Sequence, residues 1–324
     1  MIRRYRLRSA AAAFLVVLGA CAAPSGDAAA ERVPSPPEEI AAVETAPEPE
    51  PEPEPEPAPE PSREPDTVIV PDGVLTIHMF DVGQGDAMLL THPAVTMLID
   101  TGRFDRTDVV PLLRRHGVER IDLLVVTHPH ADHIGQFDRV MQAFSVDEVW
   151  WSGSTTTTRT FERAVAALEA STARYEEPRA GAATTVGPLG IEVLHPAVGD
   201  SLRDLNDASI ALRITFGDFR IVTTGDAERA AEARMVARFS DRLPADVLRL
   251  GHHGSSTSTT PDFLAAVAPS VAMYSAGANN QYGHPHDEVL ARLDRAGVTV
   301  YGTATNGTVT IVTDGTGFDV RTER

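Results

Sequence analysis

Residues 127–135 read Thr127-His128-Pro129-His130-Ala131-Asp132-His133-Ile134-Gly135, which places three histidines and an aspartate within six positions. The stretch before it, Ile121-Asp122-Leu123-Leu124-Val125-Val126, is an apolar run of strand length, rich in branched side chains. The cluster therefore sits at the carboxyl end of a buried strand, where open α/β sheets place their ligands. Pro129 prevents regular structure from running on through it. One histidine at the end of a core strand is ordinarily structural. Four ligand-type groups packed this closely point to metal binding. A tag would be terminal and uniform, whereas this stretch is internal and mixed.

The spacing suggests two ions. His128 and His130 are two residues apart and share a side of an extended segment. Asp132 and His133 are adjacent, so they suit a second ion beside the first. Imidazole and carboxylate without thiolate favour zinc, with manganese or iron as alternatives. Two neighbouring ions need a bridging carboxylate, and Thr223-Thr224-Gly225-Asp226 supplies one at the end of a predicted strand. Gly251-His252-His253-Gly254-Ser255 repeats the arrangement after another strand. Asp226 alone could be a helix cap, and the histidine pair alone a polar turn. Three strand ends carrying such residues favour a metal centre built from His128, His130, Asp132, His133, Asp226 and His252.

Outward from these motifs the pattern alternates between strands and helices. Strands are predicted over 74–80, 87–91 and 95–99, with a hairpin at 92–94, and over 121–126 and 146–151. Further strands fall at 191–194, 209–216, 219–223, 247–250, 271–274, 298–301, 308–312 and 318–321. Helices are predicted over 107–116, 136–144, 160–173, 227–239, 261–267 and 287–296. Strand-rich stretches mixed with β-α-β units predict an α/β fold of two stacked sheets covered by helices. No second boundary interrupts residues 66–324, which read as one domain.

The first 65 residues have another character. Arg3, Arg4, Arg6 and Arg8 precede an apolar run over residues 10–20, too short to span a membrane as an ordinary helix. Leu18-Gly19-Ala20-Cys21 resembles a bacterial lipobox, so residues 1–21 are expected to be a signal peptide ending at a lipid-bearing Cys21. Cys21 is the single cysteine of the chain, which leaves the folded part without an internal disulfide. Residues 22–65 include a proline-glutamate repeat over 47–57. It reads as an extended, self-repelling tether between a membrane surface and the domain. The expected location is the extracytoplasmic side of a bacterial membrane, with no protein partner.

The net charge is −18, and every basic side chain is an arginine. Residues 66–324 hold 34 acidic and 22 basic side chains. That balance argues against a processive binder of long nucleic acid, which needs cationic surface.

His128-x-His130-x-Asp132-His133, followed by Asp226 and His252 at strand ends, resembles the metallo-β-lactamase fold superfamily. The resemblance implies an αββα sandwich of two mixed sheets flanked by helices. Ile99-Asp100-Thr101-Gly102 fits its first motif, so Asp100 is expected to support the metal loop. Within the superfamily the chain resembles the hydrolase domain of ComEC-type DNA-uptake proteins. The matching stretches are Phe80-Asp81-Val82-Gly83-Gln84-Gly85-Asp86-Ala87, Asn206-Asp207-Ala208-Ser209, Thr224-Gly225-Asp226, Leu250-Gly251-His252-His253-Gly254-Ser255 and Tyr282-Gly283-His284-Pro285-His286. Many members carry a further histidine between the first cluster and the bridging aspartate. Here Asn206 or Asp207 takes that place, which leaves the first ion's site more open.

The resemblance implies hydrolysis assisted by two divalent metal ions. It assigns Asp132 to orienting the nucleophile and His284 or His286 to protonating the leaving oxygen. His253, Ser255 and Asn279 are candidate contacts to metal or substrate, as are Asn206 and Asp207. The expected substrate is a phosphodiester, in a small molecule or in nucleic acid. One alternative is another hydrolase of the same fold, acting on a lactone, a β-lactam or a phosphocholine ester. A second is a tethered binding module with a vestigial site.

Overall fold

The computed structural model describes residues 72–324. Cys21, the proline-glutamate repeat and the other N-terminal expectations lie outside these residues. In chain order the first strands are β1 (Leu75–Met79), β2 (Met88–His92) and β3 (Val95–Ile99). Helix α1 (Val109–Arg115), β4 (Arg120–Val126), α2 (Phe137–Ala143), β5 (Ser145–Trp151), α3 (Arg159–Glu169) and β6 (Arg174–Glu176) follow. The second half opens with β7 (Ala183–Val186), β8 (Leu189–His195), β9 (Ala211–Phe216) and β10 (Phe219–Thr223). Then come α4 (Arg229–Phe239), β11 (Val247–Arg249), α5 (Pro261–Val267), β12 (Val271–Tyr274), α6 (Asp287–Arg295) and β13 (Thr299–Gly302). A short helix, α7 (Thr303–Asn306), leads into β14 (Val309–Thr313) and β15 (Phe318–Thr322).

These strands form two mixed sheets. One runs β15-β14-β1-β2-β3-β4-β5-β6 and the other β13-β12-β11-β10-β9-β8-β7. Pairing is parallel from β3 to β6 and from β10 to β13. The remaining pairs are antiparallel hairpins and their neighbours. Parallel neighbours need helical crossovers, and those helices cover the outer faces.

Three apolar layers result. Leu123 and Val125 of β4 join Ile77, Met97, Ile214, Ile221 and Met273 in the layer between the sheets. Leu124 and Val126, pointing the other way, pack with Val109, Phe137, Val140 and Ala164 beneath α1, α2 and α3. On the far side Leu248 and Val222 pack with Met235, Phe263, Val289 and Leu293 of α4, α5 and α6. This is an αββα sandwich. The continuous apolar run before the histidines follows from it, because β4 is buried on both faces.

Several elements differ from the sequence-based expectation. The short helix α7 has no counterpart in it, and neither do β6 and β7. Both lie at sheet edges, and seven of their residues carry almost no buried side chain. They have no apolar alternation to read. The helix predicted from residue 227 begins at Arg229, with Glu228 as its N-cap. Asp226 is therefore not the cap.

Candidate metal centre

Five chain segments meet where parallel strands end. β3 leads to Asp100, β4 to the histidine loop, β10 to Asp226, β11 to a 3-10 turn over Gly251–Gly254, and β12 to Ser275. Both sheets contribute, so the centre lies at one rim of the sandwich. Glycines permit the close approach. Gly225 has φ +54°, and a Cβ there would stand 2.8 Å from Thr127 Cβ. A Cβ on Gly135 would stand 2.0 Å from the Phe104 nitrogen. The histidine loop is also tied by Thr101 N to His133 O at 2.6 Å and Asp86 N to Asp132 O at 3.1 Å.

The Asp226 carboxylate is at the middle. Its Oδ2 lies 3.2 Å from His133 Nε2, 3.6 Å from His253 Nε2, and 3.8 Å from both His128 Nε2 and His252 Nε2. His128 Nε2 and His130 Nδ1 face each other at 2.9 Å. His253 Nε2 is 3.4 Å from Asp132 Oδ2. Around Asp226 these side chains fall into two groups. One gathers His128 and His130, and the other Asp132, His133 and His253.

The far side of each ring is braced. His133 Nδ1 donates to Asp100 Oδ2 at 2.8 Å, and Asp100 also accepts from Thr127 N and Oγ1 at 2.8 and 2.7 Å. His253 Nδ1 donates to Ser275 O at 2.9 Å. His128 Nδ1 lies 3.2 Å from Thr127 Oγ1 and 3.3 Å from Ser209 Oγ. With Nδ1 committed, Nε2 presents its lone pair inward, the arrangement of metal-ligating histidines. His133 Nε2, His253 Nε2 and Asp226 Oδ1 are buried without a hydrogen-bond partner. Orphaned buried acceptors are costly unless something else satisfies them, so this donor set fits a divalent cation.

The electrostatics agree. Burial, then His133, pushes His128 and His130 down, which keeps their lone pairs free. Burial opposes charge on His133, but Asp226, Asp100 and Asp132 together hold it well above the ordinary imidazole range. The acidic shell demands a positive charge there. A metal ion supplies one in place of the proton.

Asp86 and Arg249 join the centre from outside the expected set. Asp86, His133, Asp226 and His253 form a buried cluster whose nearest ligand atoms lie within 4.8 Å of one another. Asp86 faces the Nδ1 side of both histidines, at 3.8 and 3.9 Å, and pairs with the Arg249 guanidinium. That places it behind the rings and away from the inward Nε2 atoms. Arg249 also donates to Gly225 O and lies 3.8 Å from Asp226 Oδ1. Burial pushes it down to about 9. The signal for both was in the sequence: a charged residue inside the apolar strand 247–250, and an acid closing the Gly-Gln-Gly turn.

The other candidates separate by geometry. Asn206 lines the same cavity of about 300 Å³ as His130, Asp132, Asp226, His252 and His253. Asp207 turns away: its Oδ1 accepts from Glu228 N at 3.0 Å, and its Oδ2 lies 3.7 Å from Arg234. Ser255 is folded into its own turn against Thr257. Asn279 lines a neighbouring cavity of about 370 Å³ with Gln84, Arg103, Phe104, Asp132 and Tyr282. Gln84, Asp132 and Tyr282 border both cavities. His286 is held by backbone, with Nδ1 accepting from Ser256 N at 2.9 Å and Nε2 lying 3.2 Å from Tyr282 O. His284 borders the metal cavity with its Nδ1 buried and unpartnered. His252 and His253 have φ of +49° and +57°. Two consecutive left-handed residues cost of order 1–3 kcal/mol each, and they aim both Nε2 atoms at Asp226.

The sequence profile of the Metallo-beta-lactamase superfamily matches residues 80–278. The chain is 31% identical over 252 residues to ComE operon protein 3 of Bacillus subtilis (strain 168), covering 72% of this chain and 32% of that protein. It is 31% identical over 245 residues to competence protein ComA of Neisseria gonorrhoeae, covering 74% of this chain and 32% of that one. The chain thus spans about a third of the length of these relatives. Among solved structures, CmlA, a diiron beta-hydroxylase from Streptomyces venezuelae, superposes with a TM-score of 0.51 at 15% identity. The match covers 74% of this chain and 54% of CmlA, and it reports a shared fold.

Proposed function

This chain belongs to the metallo-beta-lactamase superfamily and is a metal-dependent hydrolase; on that premise we propose that it cleaves phosphodiester bonds from an exported, membrane-tethered position. The observation that carries the reading is the pair of half-sites sharing Asp226. His128 and His130 would hold one ion, and Asp132, His133 and His253 the other. Zinc suits these ligands, with manganese as the alternative. Divalent ions held there supply Lewis-acid chemistry, polarising a substrate oxygen and acidifying water near neutral pH.

The chain's own groups do the rest. Asp132, partly exposed beside the buried histidines, accepts a hydrogen bond from the attacking water and orients it. Gln84 borders both cavities, its Oε1 accepting from Gly277 N at 3.2 Å, and its amide is a candidate donor to a substrate oxygen. Arg249 offsets the charge of Asp86 and Asp226 from behind. His284 borders the cavity with a ring that is neutral near pH 7 and can donate a hydrogen bond to a leaving oxygen. His286, with both nitrogens committed, holds the loop.

Support for a phosphodiester comes from the likeness to ComEC-type proteins and from the second cavity. Phe104 and Tyr282, 54% and 56% exposed, border it beside Arg103 and Asn279. Exposed aromatic faces next to an arginine and amides suit a planar group esterified to phosphate. Support for the tether comes from the arginine-apolar-Cys21 pattern and the proline-glutamate repeat.

The test is metal content together with turnover of bis(p-nitrophenyl) phosphate by the full chain. About two ions per chain, with turnover abolished in Asp226→Asn, is the expected result. Metal bound without phosphodiester turnover would move the substrate to another ester or an amide.

A further inference from the structure

Glu228 is the N-cap residue of α4, yet its side chain makes no capping hydrogen bond. It turns toward the metal cavity instead. Its Oε1 accepts from Asn206 Nδ2 at 3.2 Å and from Thr257 Oγ1 at 3.0 Å, and it lies 3.1 Å from His252 Nδ1. Thr257 Oγ1 is itself 3.2 Å from His252 Nδ1. Two donors from two segments thus bond one carboxylate oxygen, and His252 reaches it through Thr257.

Each contact has a consequence on the cavity side. A carboxylate only accepts, so the Thr257 hydroxyl gives its proton to Glu228 and accepts from His252, which puts the His252 proton on Nδ1 and leaves the Nε2 lone pair facing Asp226. The same logic fixes the Asn206 amide. Its N–H₂ points to Glu228, and its Oδ1 is left buried and unpartnered. Asn206, His130 and His252 line one cavity. This is the half-site where His128 and His130 alone provide two donors.

We propose that Glu228 is the positioning residue of the first ion's half-site, fixing His252 Nε2 and Asn206 Oδ1 as the donors that complete the pair His128 Nε2 and His130 Nδ1. The inference rests on the metal-centre reading above. It accounts for two histidines in the 3-10 turn, with His253 serving one ion and His252 the other. It also accounts for a glutamate at a position where shorter side chains are the better caps. A carboxylate behind a ligating histidine fixes its ring, and losing one typically weakens metal affinity about 10–100-fold.

The experiment uses the full chain and its Glu228→Ala and Glu228→Gln variants. Each is titrated with zinc by calorimetry and with cobalt(II) by visible absorption. The expected result is two ions on the unaltered chain. In Glu228→Ala one ion keeps its affinity, and the other weakens about tenfold or more with loss of its share of the cobalt spectrum. Glu228→Gln keeps an acceptor oxygen in place and falls between the two. If Glu228→Ala does not fold, the Gln variant decides, with a several-fold weakening of one ion at unchanged far-UV circular dichroism. Variants that match the unaltered chain in stoichiometry, affinity and cobalt spectrum overturn this inference and leave the metal centre standing. An unaltered chain that takes up no ion overturns both.

Discussion

His284 and His286 share one loop and differ in what their rings touch. Both nitrogens of His286 meet backbone groups, whereas His284 has a free nitrogen beside the metal cavity. Burial, followed by the neighbouring His253, His252 and His286, pushes His284 down to about 4. At that value the ring is neutral near pH 7 and offers the leaving oxygen a hydrogen bond, so His284→Ala is expected to lower kcat on a chromogenic phosphodiester by about tenfold, the cost of about one neutral hydrogen bond. His286→Ala is expected to lower the melting temperature and leave kcat within a few-fold. Steady-state kinetics beside thermal melts separate the two. Arg249 invites a different test. Arg249→Met leaves the Asp86 carboxylate buried without its partner, an error that costs about 3–5 kcal/mol. Urea unfolding measures it, and a loss under 1 kcal/mol would show that water reaches Asp86.

At the scale of elements, β4 carries both the core and the centre. Leu124 lies on its outer face under the helices, fully buried. Leu124→Ala is expected to cost about 2–5 kcal/mol, read by denaturant unfolding, with metal stoichiometry unchanged because the side chain points away from the loop. In the same sheet β1 holds a buried histidine that stands apart from the centre. His78 stacks near His116, with ring centroids 4.1 Å apart, and bonds Thr310 Oγ1 at 3.0 Å. Burial, then His116, pushes it down to about 4. An unfolded histidine takes its proton near the ordinary value of about 6.5. Between these values the unfolded state holds more protons, so stability rises with pH across that window and is lost as pH falls through it. The full loss is up to about 3 kcal/mol at about 1.4 kcal/mol per unit. His78→Phe is expected to flatten the slope between pH 6.5 and 4 relative to the unaltered chain, and an unchanged slope would assign it to other groups.

For the whole molecule the decisive handle is the metal. Ions that bind only the folded chain stabilise it by about 2.7 kcal/mol at a free concentration one hundred times the dissociation constant. In a domain of this size that is about 5–11 °C of melting temperature. Chelation is expected to remove that increment and zinc to restore it, and a melting curve indifferent to chelator would argue against an intact centre.

Much of this could be read from residues alone. Four ligand-type groups after an apolar strand, Asp226 after a glycine turn and two histidines after β11 marked the candidate centre, and the strand and helix pattern implied stacked sheets under helices, because periodicity and ligand chemistry are local properties. The polar edges β6 and β7 had no such pattern. Neighbours in space stayed hidden too: that Asp86 and Arg249 stand behind His133 and His253, that Asn206 faces the cavity while Asp207 turns away, and that Glu228 reaches His252. The sequence by itself determined which residue types could bind metal and that they follow strand ends. Only the tertiary structure decided which nitrogen of each ring faces Asp226, because that depends on partners brought from both sheets to one rim, and no spacing along the chain encodes the meeting of His133 with Asp100, His253 with Ser275 or His128 with Ser209.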